Sequence, residues 1–590
     1  MPISSMQGST PVSTPIKKGR YQETLLDRWS FMKRGTALRN ESMLWYPAFK
    51  DLSKYINPTR GFFYDNRPNV GFEIDHKTVI DSTAEDAIGT LASGMVSGLT
   101  SPSRPWFKLG LPDPDLMEYA PVNQWLDVVQ NRIQDIYSKS NIYGCLYSAY
   151  EEIATFGTAA VFLQEDFKDV IRGRVYTIGE YSYGTGSDGR VNAFYRRFWM
   201  TVAQLVEEFG LDNVSPARQT AFRNNSPDIW CLINQLVEVN DTRMPEYKDY
   251  RNMQYRSIYW EDGAMMDSYL RIGGYEEFPV LAPRWSTTTT ADAYGRSPGW
   301  KMLGNVKMLQ KMQKNKLIAL DKMTNPPVQV DASVQGEANM VPGGITKFST
   351  QLPNAGVKPA YQVQIDIGAL EAAIQTTQQM IKRQAFSDLF LMMIDAERGS
   401  PITATEVAER QSEKLTILGP VLERLENELL NPLIDRTFAI MLRNKLVPPA
   451  PKEIQGMELR VQYISILSQA QKMVGTSSVQ QLLQFIGGIA QMSPSVVDNV
   501  DFDQTVREYA KMLGTPAKLL ASPEVVMAVR QAKEKQQKMM MSIQAASSIA
   551  DSAQKGTAAV KNMAGAPMGQ NSALDTTLET LKGMVPGGQK

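Results

Sequence analysis

The chain carries few side chains that could do chemistry. His76 is the only histidine, so a Ser-His-Asp or Cys-His site could form only around it, and none remains to bind a metal. Cys145 and Cys231 are far apart and lack a CxxC spacing, which excludes a zinc cluster and a disulfide framework. We expect His76 to be structural and both cysteines to be buried small apolar residues.

Nucleotide and cation chemistry have little support. The sequence contains no GxxxxGK[ST] motif, whose backbone amides and lysine hold nucleotide phosphates, so we do not expect ATP hydrolysis by this chain. Asp113 and Asp115 are a carboxylate pair without further ligands, which favours a solvated loop over a cation site. We therefore predict no catalytic residue, no metal and no cofactor.

The bulk composition indicates a large multidomain protein without a general affinity for nucleic acid. The 590 residues include 62 Lys+Arg and 62 Asp+Glu, which gives no net charge, so any DNA contact must be local or weak. The longest apolar run, 389–394, is far shorter than the roughly 20 residues of a membrane span. Residues 1–18 are rich in Ser, Thr and Pro and are expected to form a flexible arm, not a signal peptide.

The first half of the chain predicts an α+β body. Ser82 with Glu85, and Thr201 with Gln204, are capping boxes that start helices, and the second helix should end at Gly210. Strand-like stretches follow and separate these helices; they are residues 159–163, 191–199, 256–260 and 269–272.

A helix, a strand pair and a second helix are predicted next. Residues 299–325 have helical apolar spacing, with a stripe formed by Val306, Leu309, Met312, Leu320 and Met323. Pro326 and Pro327 end this helix, and residues 328–335 then alternate as a half-buried strand does. A Gly/Pro-rich loop, 336–357, leads to a second alternating stretch and to a helix over 368–393.

Two strands alone bury too little surface to be stable in water, so this pair needs a neighbour. Open strand edges pair readily with other chains, so strand addition from an adjacent copy is one solution. A hairpin covered by its own chain is the other. The inter-subunit strand residues would be Val328, Val330, Val334, Tyr361, Val363 and Ile365.

A long bent helix is predicted after a polar loop, 395–401. The capping box Thr403/Glu406 starts it, and it runs to about residue 444 with bends at Gly419-Pro420 and at Pro432. Further helices are expected at 459–474, 477–492, 502–513 and from about 523. Beyond residue 550 the composition favours at most weak helix.

Basic residues are concentrated on the paired helices. Lys307, Lys311 and Lys314 share one face of the first helix, and Lys382 and Arg383 lie on the second. Whether they contact nucleic acid, a protein partner or only solvent is left open by the sequence.

Several segments, in order, resemble the portal, or head-to-tail connecting, proteins of short-tailed podovirus-like phages. The likeness covers about residues 20–530 and rests on the order and spacing of turn, cap and kink signatures. These segments are Tyr55-Ile56-Asn57-Pro58-Thr59-Arg60, Asp81-Ser82-Thr83-Ala84, residues 99–107, Tyr294-Gly295-Arg296-Ser297-Pro298-Gly299, residues 403–410, Leu418-Gly419-Pro420-Val421 and Glu428-Leu429-Leu430.

The resemblance implies the portal fold, α+β but mainly helical, assembled as a ring. Its parts would be a flexible arm (1–18), a wing (19–298), stem helix 1 (299–325), a β-containing clip (326–366), stem helix 2 (367–394), a channel loop (395–402), a bent wing/crown helix (403–446), a helical crown (447–530) and a C-terminal helical barrel or flexible tail (531–590).

The same resemblance implies a function and partners. It implies a dodecameric ring at one capsid vertex, through which double-stranded DNA is packaged and ejected, and a chain that is not an enzyme. Terminase, major capsid and scaffolding proteins and tail adaptor or nozzle proteins would be partners, with no membrane. The protein would be in the virion, and in host cytoplasm during assembly.

A mechanism follows from charge. Each lysine or arginine that neutralises a phosphate strengthens DNA binding, so a conduit should carry few of them. The hypothesis is that the channel loop lines the narrowest point, where its acidic groups repel phosphates and Arg398 makes one transient contact per subunit. The loop residues are Asp395, Glu397, Arg398, Gly399 and Ser400.

Two rival functions remain distinguishable. Another ring-forming virion component, such as a head-tail adaptor or tail-tube protein, would share the neutrality but should lack the helix, hairpin, helix and bent-helix order. A nuclease with carboxylate-held metal would reveal itself by metal-dependent DNA cleavage.

Overall fold

The computed structural model describes most of the chain up to residue 468 and short stretches beyond it. Contacts divide the chain into two units, Met1–Asn499 and Val500–Lys590. The predictions for His76, Asp115, the strand 361–365 and the loop 395–402 lie outside the described residues. Those described are 28–63, 79–113, 116–244, 249–264, 268–330, 334, 337–339, 344–347, 357–360, 366–387, 389–391, 416–457, 459–465, 467–468, 486, 501, 503–506, 526–527 and 529–538.

The first unit is α+β, as predicted. Its helices are α1 (Arg28–Met43), α2 (Tyr46–Tyr55), α3 (Thr83–Leu99), α4 (Ala120–Lys139), α5 (Ile142–Phe156), α6 (Val202–Phe209), α7 (Pro216–Arg223), α8 (Pro298–Thr324), α9 (Ile367–Gln384) and α10 (Asn431–Arg443). Its strands are β1 (Phe107–Gly110), β2 (Ala160–Asp166), β3 (Val170–Tyr176), β4 (Tyr181–Thr185), β5 (Val191–Thr201), β6 (Trp230–Val239), β7 (Tyr255–Glu261), β8 (Arg271–Tyr275), β9 (Val280–Leu281), β10 (Val328–Val330), β11 (Val357–Pro359) and β12 (Arg460–Tyr463).

A five-stranded antiparallel sheet, in the order β4-β5-β6-β7-β8, has helices on both faces. Alternate residues of its strands point to opposite sides, so Leu236 packs with α1 while Ile233 packs with α6. A smaller antiparallel sheet, β3-β2-β9, packs beside α5 in the main core. We call these two sheets and the helices packed on them the sheet region. In chain order it precedes the paired helices α8 and α9.

Some predicted elements are confirmed and others are corrected. The capping box at Thr201 and Gln204 forms, and its helix ends at Gly210 with a φ of +82°. The helix after Ser82 forms without the predicted capping box: the Ser82 hydroxyl donates to the Asp86 carboxylate at 3.3 Å, and the Asp81 carboxylate accepts from the Thr83 amide. The second long helix is interrupted after Gln384, where Phe386 has a φ of +56°, and residues 387 and 389–391 are helical again within the predicted range.

The helix predicted to start at residue 459 is wrong at its beginning. Residues Arg460–Tyr463 form β12, which pairs antiparallel with β1 and places Tyr463 opposite Phe107. Tyr463 and Trp106 then stack with their ring centroids 6.4 Å apart. A partner strand more than 300 residues away overrides local helix propensity here.

In the second unit, residues 503–506 and 529–538 include helical turns, joined by a bidentate ion pair between Arg530 and Asp503 at 2.5 and 2.6 Å. Across the residues described in both units, no helix is both long and apolar enough to span a bilayer.

Candidate functional site

The first long helix, α8, is anchored where it begins. Ser297 caps it by accepting a hydrogen bond from the Trp300 amide and donates its hydroxyl to the Thr155 carbonyl at 2.7 Å. Gly295 lies so close to the end of α5 that a Cβ there would be 2.3 Å from the Gly157 carbonyl oxygen. The base of α8 is therefore fixed to the C-terminal end of α5, by the Ser297 side chain and by close backbone approach at Gly295.

The two long helices pack against each other as an antiparallel pair. Ile374, Thr377 and Ile381 of α9 are buried and lie on one face of the helix. Asn305 donates to Gln384 at 3.1 Å near the base, and an ion pair joins Lys316 to Glu371 farther along. We call α8 and α9 together the stem.

Asp81 connects both stem helices to the start of α3. Its carboxylate accepts hydrogen bonds from the Gln313 amide of α8 at 2.9 Å and the Gln378 amide of α9 at 2.8 Å. Gln310 completes the joint by accepting from the Asp81 amide and donating to the Asp81 carbonyl. Partial burial alone would raise the pKa of Asp81, but hydrogen bonds from Thr83, Gln313 and Gln378 outweigh it and hold the pKa below its usual value.

The five basic stem residues do not all have the same surroundings. Lys307 is paired with Asp51 of α2 at 2.7 Å and lies 5.3 Å from the Tyr55 ring centroid. Lys311, Lys314, Lys382 and Arg383 are exposed, and no ion pair to them is found within the described part of the chain. Helix α8 carries six lysines against one aspartate, a local excess of five positive charges in a neutral chain.

The C-terminal end of α8 carries apolar side chains that are exposed to solvent. The predicted stripe is buried at Val306 and Leu309, yet Leu320 and Met323, which belong to the same stripe, are exposed. Leu317 and Ile318 are exposed as well, at 54% and 42%. We call these four side chains, Leu317, Ile318, Leu320 and Met323, the distal stem surface.

Strands β10 and β11, which fall in the predicted clip, are also largely exposed. We call this strand pair the clip hairpin. Strands β10 and β11 pair with Val328 opposite Pro359 and Val330 opposite Val357. The second strand thus begins at residue 357, where the sequence indicated only the end of a loop. Val330 is 47% exposed, and Val334 is half-buried. Tyr361, Val363 and Ile365 lie outside the described residues, so their part in pairing stays a prediction.

The long helix changes from α-helical to π-helical geometry just before Pro432. Residues 416–425 are α-helical through Gly419 and Pro420, Glu426–Leu430 form a π-helical turn, and α10 follows. Proline cannot donate to the carbonyl four residues before it, which explains an irregular turn here. The predicted bend residues Gly419, Pro420 and Pro432 therefore differ: helix geometry is regular at the first two and irregular just before the third.

Buried ion pairs tie this helix to the sheet region. Arg284, which follows β9, pairs with Glu428 of the π-helical turn at 2.5 Å. Arg436 and Arg443 of α10 both pair with Glu277, and Arg443 also reaches Glu165 of β2. Arg284 and Arg436 are buried, so removing the acidic partner of either would leave an uncompensated buried charge, whereas the pair of Arg443 with Glu165 is partly exposed and contributes less.

Glu152 of α5 is a buried carboxylate that contacts both the chain after β3 and Arg60, which follows α2. It accepts hydrogen bonds from the Thr177 hydroxyl at 2.7 Å and the Ile178 amide at 3.2 Å, and it lies 3.6 Å from Arg60. Burial raises the pKa of Glu152 to about 7, although Arg60 and the hydrogen bonds oppose that rise.

The sequence did not identify Asp81, Glu152 or Arg284 as residues that connect separate elements of the fold. Asp81 and Glu428 do fall within the segments that resemble the portal family, as does Arg60, which pairs with Glu152. These segments therefore lie at joints between elements. Arg284 carried no such signal, because its partner is 144 residues away in the chain.

The described residues do not assemble a catalytic constellation. Among them, no group of three or more His, Cys, Asp or Glu side chains could hold a metal ion. Cys145 and Cys231 are buried, as predicted, and burial raises the pKa of the Cys145 thiol to about 11. Asp113 is exposed at the surface.

Comparison with known proteins covers nearly the whole chain. Residues 28–520 match the family described as bacteriophage head to tail connecting protein. A portal protein of Salmonella phage epsilon15 is 41% identical over 549 residues, which is 91% of this chain and 98% of that protein. A probable portal protein of Bordetella phage BPP-1 is 39% identical over 517 residues, which is 88% of this chain and 92% of that one. The chain therefore belongs to the bacteriophage head-to-tail connecting protein family.

Proposed function

We propose that this chain is the portal subunit of a phage, twelve copies of which close into a ring at one capsid vertex. Double-stranded DNA passes through the ring during packaging and ejection. The family and its two portal relatives support this function, and the distal stem surface is the observation that supports the ring.

The distal stem surface requires more than one neighbour. Successive residues of a helix are about 100° apart around its axis, so Leu317 and Ile318 point in clearly different directions, and Leu320 lies about 200° from Ile318. A helix end that is apolar on several sides is stable only when it is covered on several sides. A closed ring gives each copy two different neighbours, whereas a two-fold dimer gives only one.

The clip hairpin supports the same assembly. Its two described strands are short and largely exposed, and such a pair is marginal in water without additional cover. Strands from adjacent copies, including Val328, Val330, Val334, Tyr361, Val363 and Ile365, would complete the sheet. The clip then faces the terminase during packaging and the tail adaptor or nozzle afterwards.

DNA passes without tight binding because the chain has no net charge. The channel loop, with Asp395, Glu397, Arg398, Gly399 and Ser400, lines the narrowest point, and the exposed stem lysines add weak local contacts. The subunit is a structural part of the virion and acts with terminase, capsid and scaffolding proteins. Replacing Arg398 with Ala should leave rings intact but change DNA packaging or retention; unchanged packaged-DNA yield and leakage would count against this role.

Electron microscopy of the purified full-length chain tests the proposal. We expect rings with a central hole and about twelvefold symmetry, because a heterologous interface closes only at a fixed rotation. Native mass spectrometry of the same sample should give the corresponding copy number. A monodisperse monomer at every concentration would overturn the proposed function.

A further inference from the structure

The long helix contains one residue more than a regular α-helix needs. Within the π-helical turn Glu426–Leu430, the Asn431 amide donates to the Glu426 carbonyl five residues earlier, instead of four. Such a turn is an α-helix with a single inserted residue, and inserted residues of this kind are found mostly at functional positions.

The buried side chains accommodate the insertion that this hydrogen bond shows. The step from Leu425 to the buried Leu430 is five residues, whereas the step from Leu425 to the equally buried Leu429 is four. Leu429 and Leu433 are also buried and widen the downstream face. Members of the continuous face are Leu418, Leu422, Leu425, Leu430, Ile434, Thr437 and Met441.

One extra residue in a regular α-helix would turn the downstream face by about 100° away from the core. The π-helical turn absorbs that rotation, so both halves of the helix remain buried. A helix lacking the inserted residue would bury the same face with a step of four. Apolar packing therefore does not require the insertion.

The insertion instead places polar side chains on three different partners. Glu428 meets Arg284, Glu426 accepts a hydrogen bond from the Ser468 hydroxyl at 3.1 Å, and Asn431 accepts one from the Tyr463 hydroxyl at 2.6 Å. These partners come from the sheet region and from the chain after α10, so the turn is a joint among separate parts of the first unit.

Arg284 is a rigid partner for this joint. Its side chain is 5% exposed and donates to the Asp292 carbonyl at 2.7 Å and the Gly189 carbonyl at 3.0 Å, besides the Glu428 carboxylate. The Arg284 backbone amide donates to Glu428 as well, at 2.9 Å. Glu428 is therefore held by both the side chain and the main chain of one residue.

We infer that Arg284 and Glu428 are positioning residues that set the register of the long helix, and that in the proposed ring this register affects the passage of DNA. The register part stands on the contacts above, and the effect on the channel rests on the proposed function. Neither residue needs to touch DNA. Both act through the helix.

Two single-residue deletions test the register. Asn427 and Glu423 are exposed residues of the same helix, but only the deletion of Asn427 changes the five-residue step to four. We expect the Asn427 deletion to keep the wild-type ring yield within about twofold, and the Glu423 deletion, which rotates Leu418 and Leu422 out of the core, to lower it about tenfold or more. Equal damage from both deletions would overturn the register assignment.

Two charge-neutralising variants test the positioning role. Glu428→Gln weakens the pair at the joint, and Glu165→Gln is the matched control, because Glu165 pairs with Arg443 of the same helix beyond the π-helical turn. We expect amide exchange in residues 426–431 to rise about tenfold in Glu428→Gln, as the loss of a charged hydrogen bond predicts, and not in Glu165→Gln. Similar exchange in both variants would overturn the role of the pair.

A third experiment compares the DNA content of particles assembled with each variant. Glu428→Gln and the Asn427 deletion should form rings yet yield several-fold less packaged or retained DNA, whereas Glu165→Gln should match wild type. Normal DNA content in both joint variants would remove the link to the channel. If the wild-type chain forms no rings, the proposed function fails, while amide exchange in the chain still decides whether the pair holds the turn.

Discussion

The carboxylate of Asp81 accepts a hydrogen bond from the amide of Gln378 at 2.8 Å, and the same oxygen accepts one from Gln313. A single side chain that precedes α3 thereby holds α8 and α9 at a fixed separation. Replacing Asp81 with Ala would leave the side-chain amides of Gln313 and Gln378 and the Thr83 backbone amide without their acceptor. We expect a loss of about 2 to 4 kcal/mol in stability, measured as a lower Tm.

Asp86→Ala is the control for this change. Asp86 lies in the first turn of the same helix. Within the described part of the chain, its side chain accepts one hydrogen bond, from the Ser82 hydroxyl at 3.3 Å, and the pair is exposed. The expected loss is about 0.5 kcal/mol or less. Equal effects of the two substitutions would show that Asp81 acts only as a local helix cap.

The distal stem surface gives a second prediction. Replacing Leu317 and Ile318 with Lys should prevent ring formation, because the charges would be buried between copies. A single copy should keep its Tm, since both side chains are already exposed there. Analytical ultracentrifugation and calorimetry measure the two effects separately.

Phe167→Lys provides the matched comparison. Phe167, at the tip of the β2–β3 hairpin, is the most exposed of the large apolar side chains in the described residues. We expect this variant to assemble as wild type does. Rings from the double Lys variant, or their loss in Phe167→Lys, would contradict the placement of the subunit interface on the stem.

Much of the helix pattern could be predicted from local sequence, because the signals are local. Ser297, Pro298 and the apolar spacing mark the start of α8, and Pro326 marks its end. The capping box at Thr201 likewise needs only its own turn. Each of these signals depends on residues within a few positions of one another.

Features that depend on distant residues could not be predicted in this way. β12 exists because β1, which includes Phe107, offers it a partner, and Asp81 connects the stem helices because both of them bring donors to its carboxylate. The exposure of Leu320 and Met323 also escaped the stripe argument. Periodicity shows which face of a helix is apolar, but it does not show how far along the helix its own chain provides cover.

The five-residue step at Leu425 and Leu430 is a signal that sequence reasoning could have used. The stripe Val421, Leu425, Leu429 and Leu433 appears regular and is indeed buried, which conceals the second stripe beside it. The hydrogen bond from the Asn431 amide to the Glu426 carbonyl, and not the spacing alone, shows that one residue is inserted. Pro432 predicted a bend of the helix; the structure has a π-helical turn, Glu426–Leu430, just before it, and the bend itself stays a prediction.

Glu152 gives a prediction about pH. Its pKa is raised from 4.5 to about 7 in the folded chain, so the folded state binds more protons than the unfolded state between these values. The contribution to stability is therefore complete below about pH 4.5 and is lost as pH rises through about 7. Glu152→Gln should remove this dependence, so the Tm difference between variant and wild type should grow in favour of the variant from pH 5 to pH 8.

Glu151→Gln serves as the control for the pH series, because Glu151 also pairs with Arg60 but is partly exposed. Its Tm should follow the wild-type pH profile. A wild-type profile that is flat from pH 5 to pH 8, relative to Glu152→Gln, would mean that Glu152 stays charged when buried and that Arg60 compensates for its burial.

The stem lysines give the last prediction, which concerns DNA. Lys311 and Lys314 are exposed, whereas the charge of Lys307 is offset by Asp51 at 2.7 Å. If the exposed lysines reach phosphates, replacing both with Ala should lower the slope of log affinity against log salt by about 1 or more for rings on double-stranded DNA. Lys307→Ala should change the slope less, because this lysine already has a counter-charge. Fluorescence anisotropy over a salt series measures the slope for each ring. An unchanged slope in Lys311→Ala/Lys314→Ala would place these residues away from the DNA path and leave Lys382, Arg383 and the channel loop as candidates for phosphate contact.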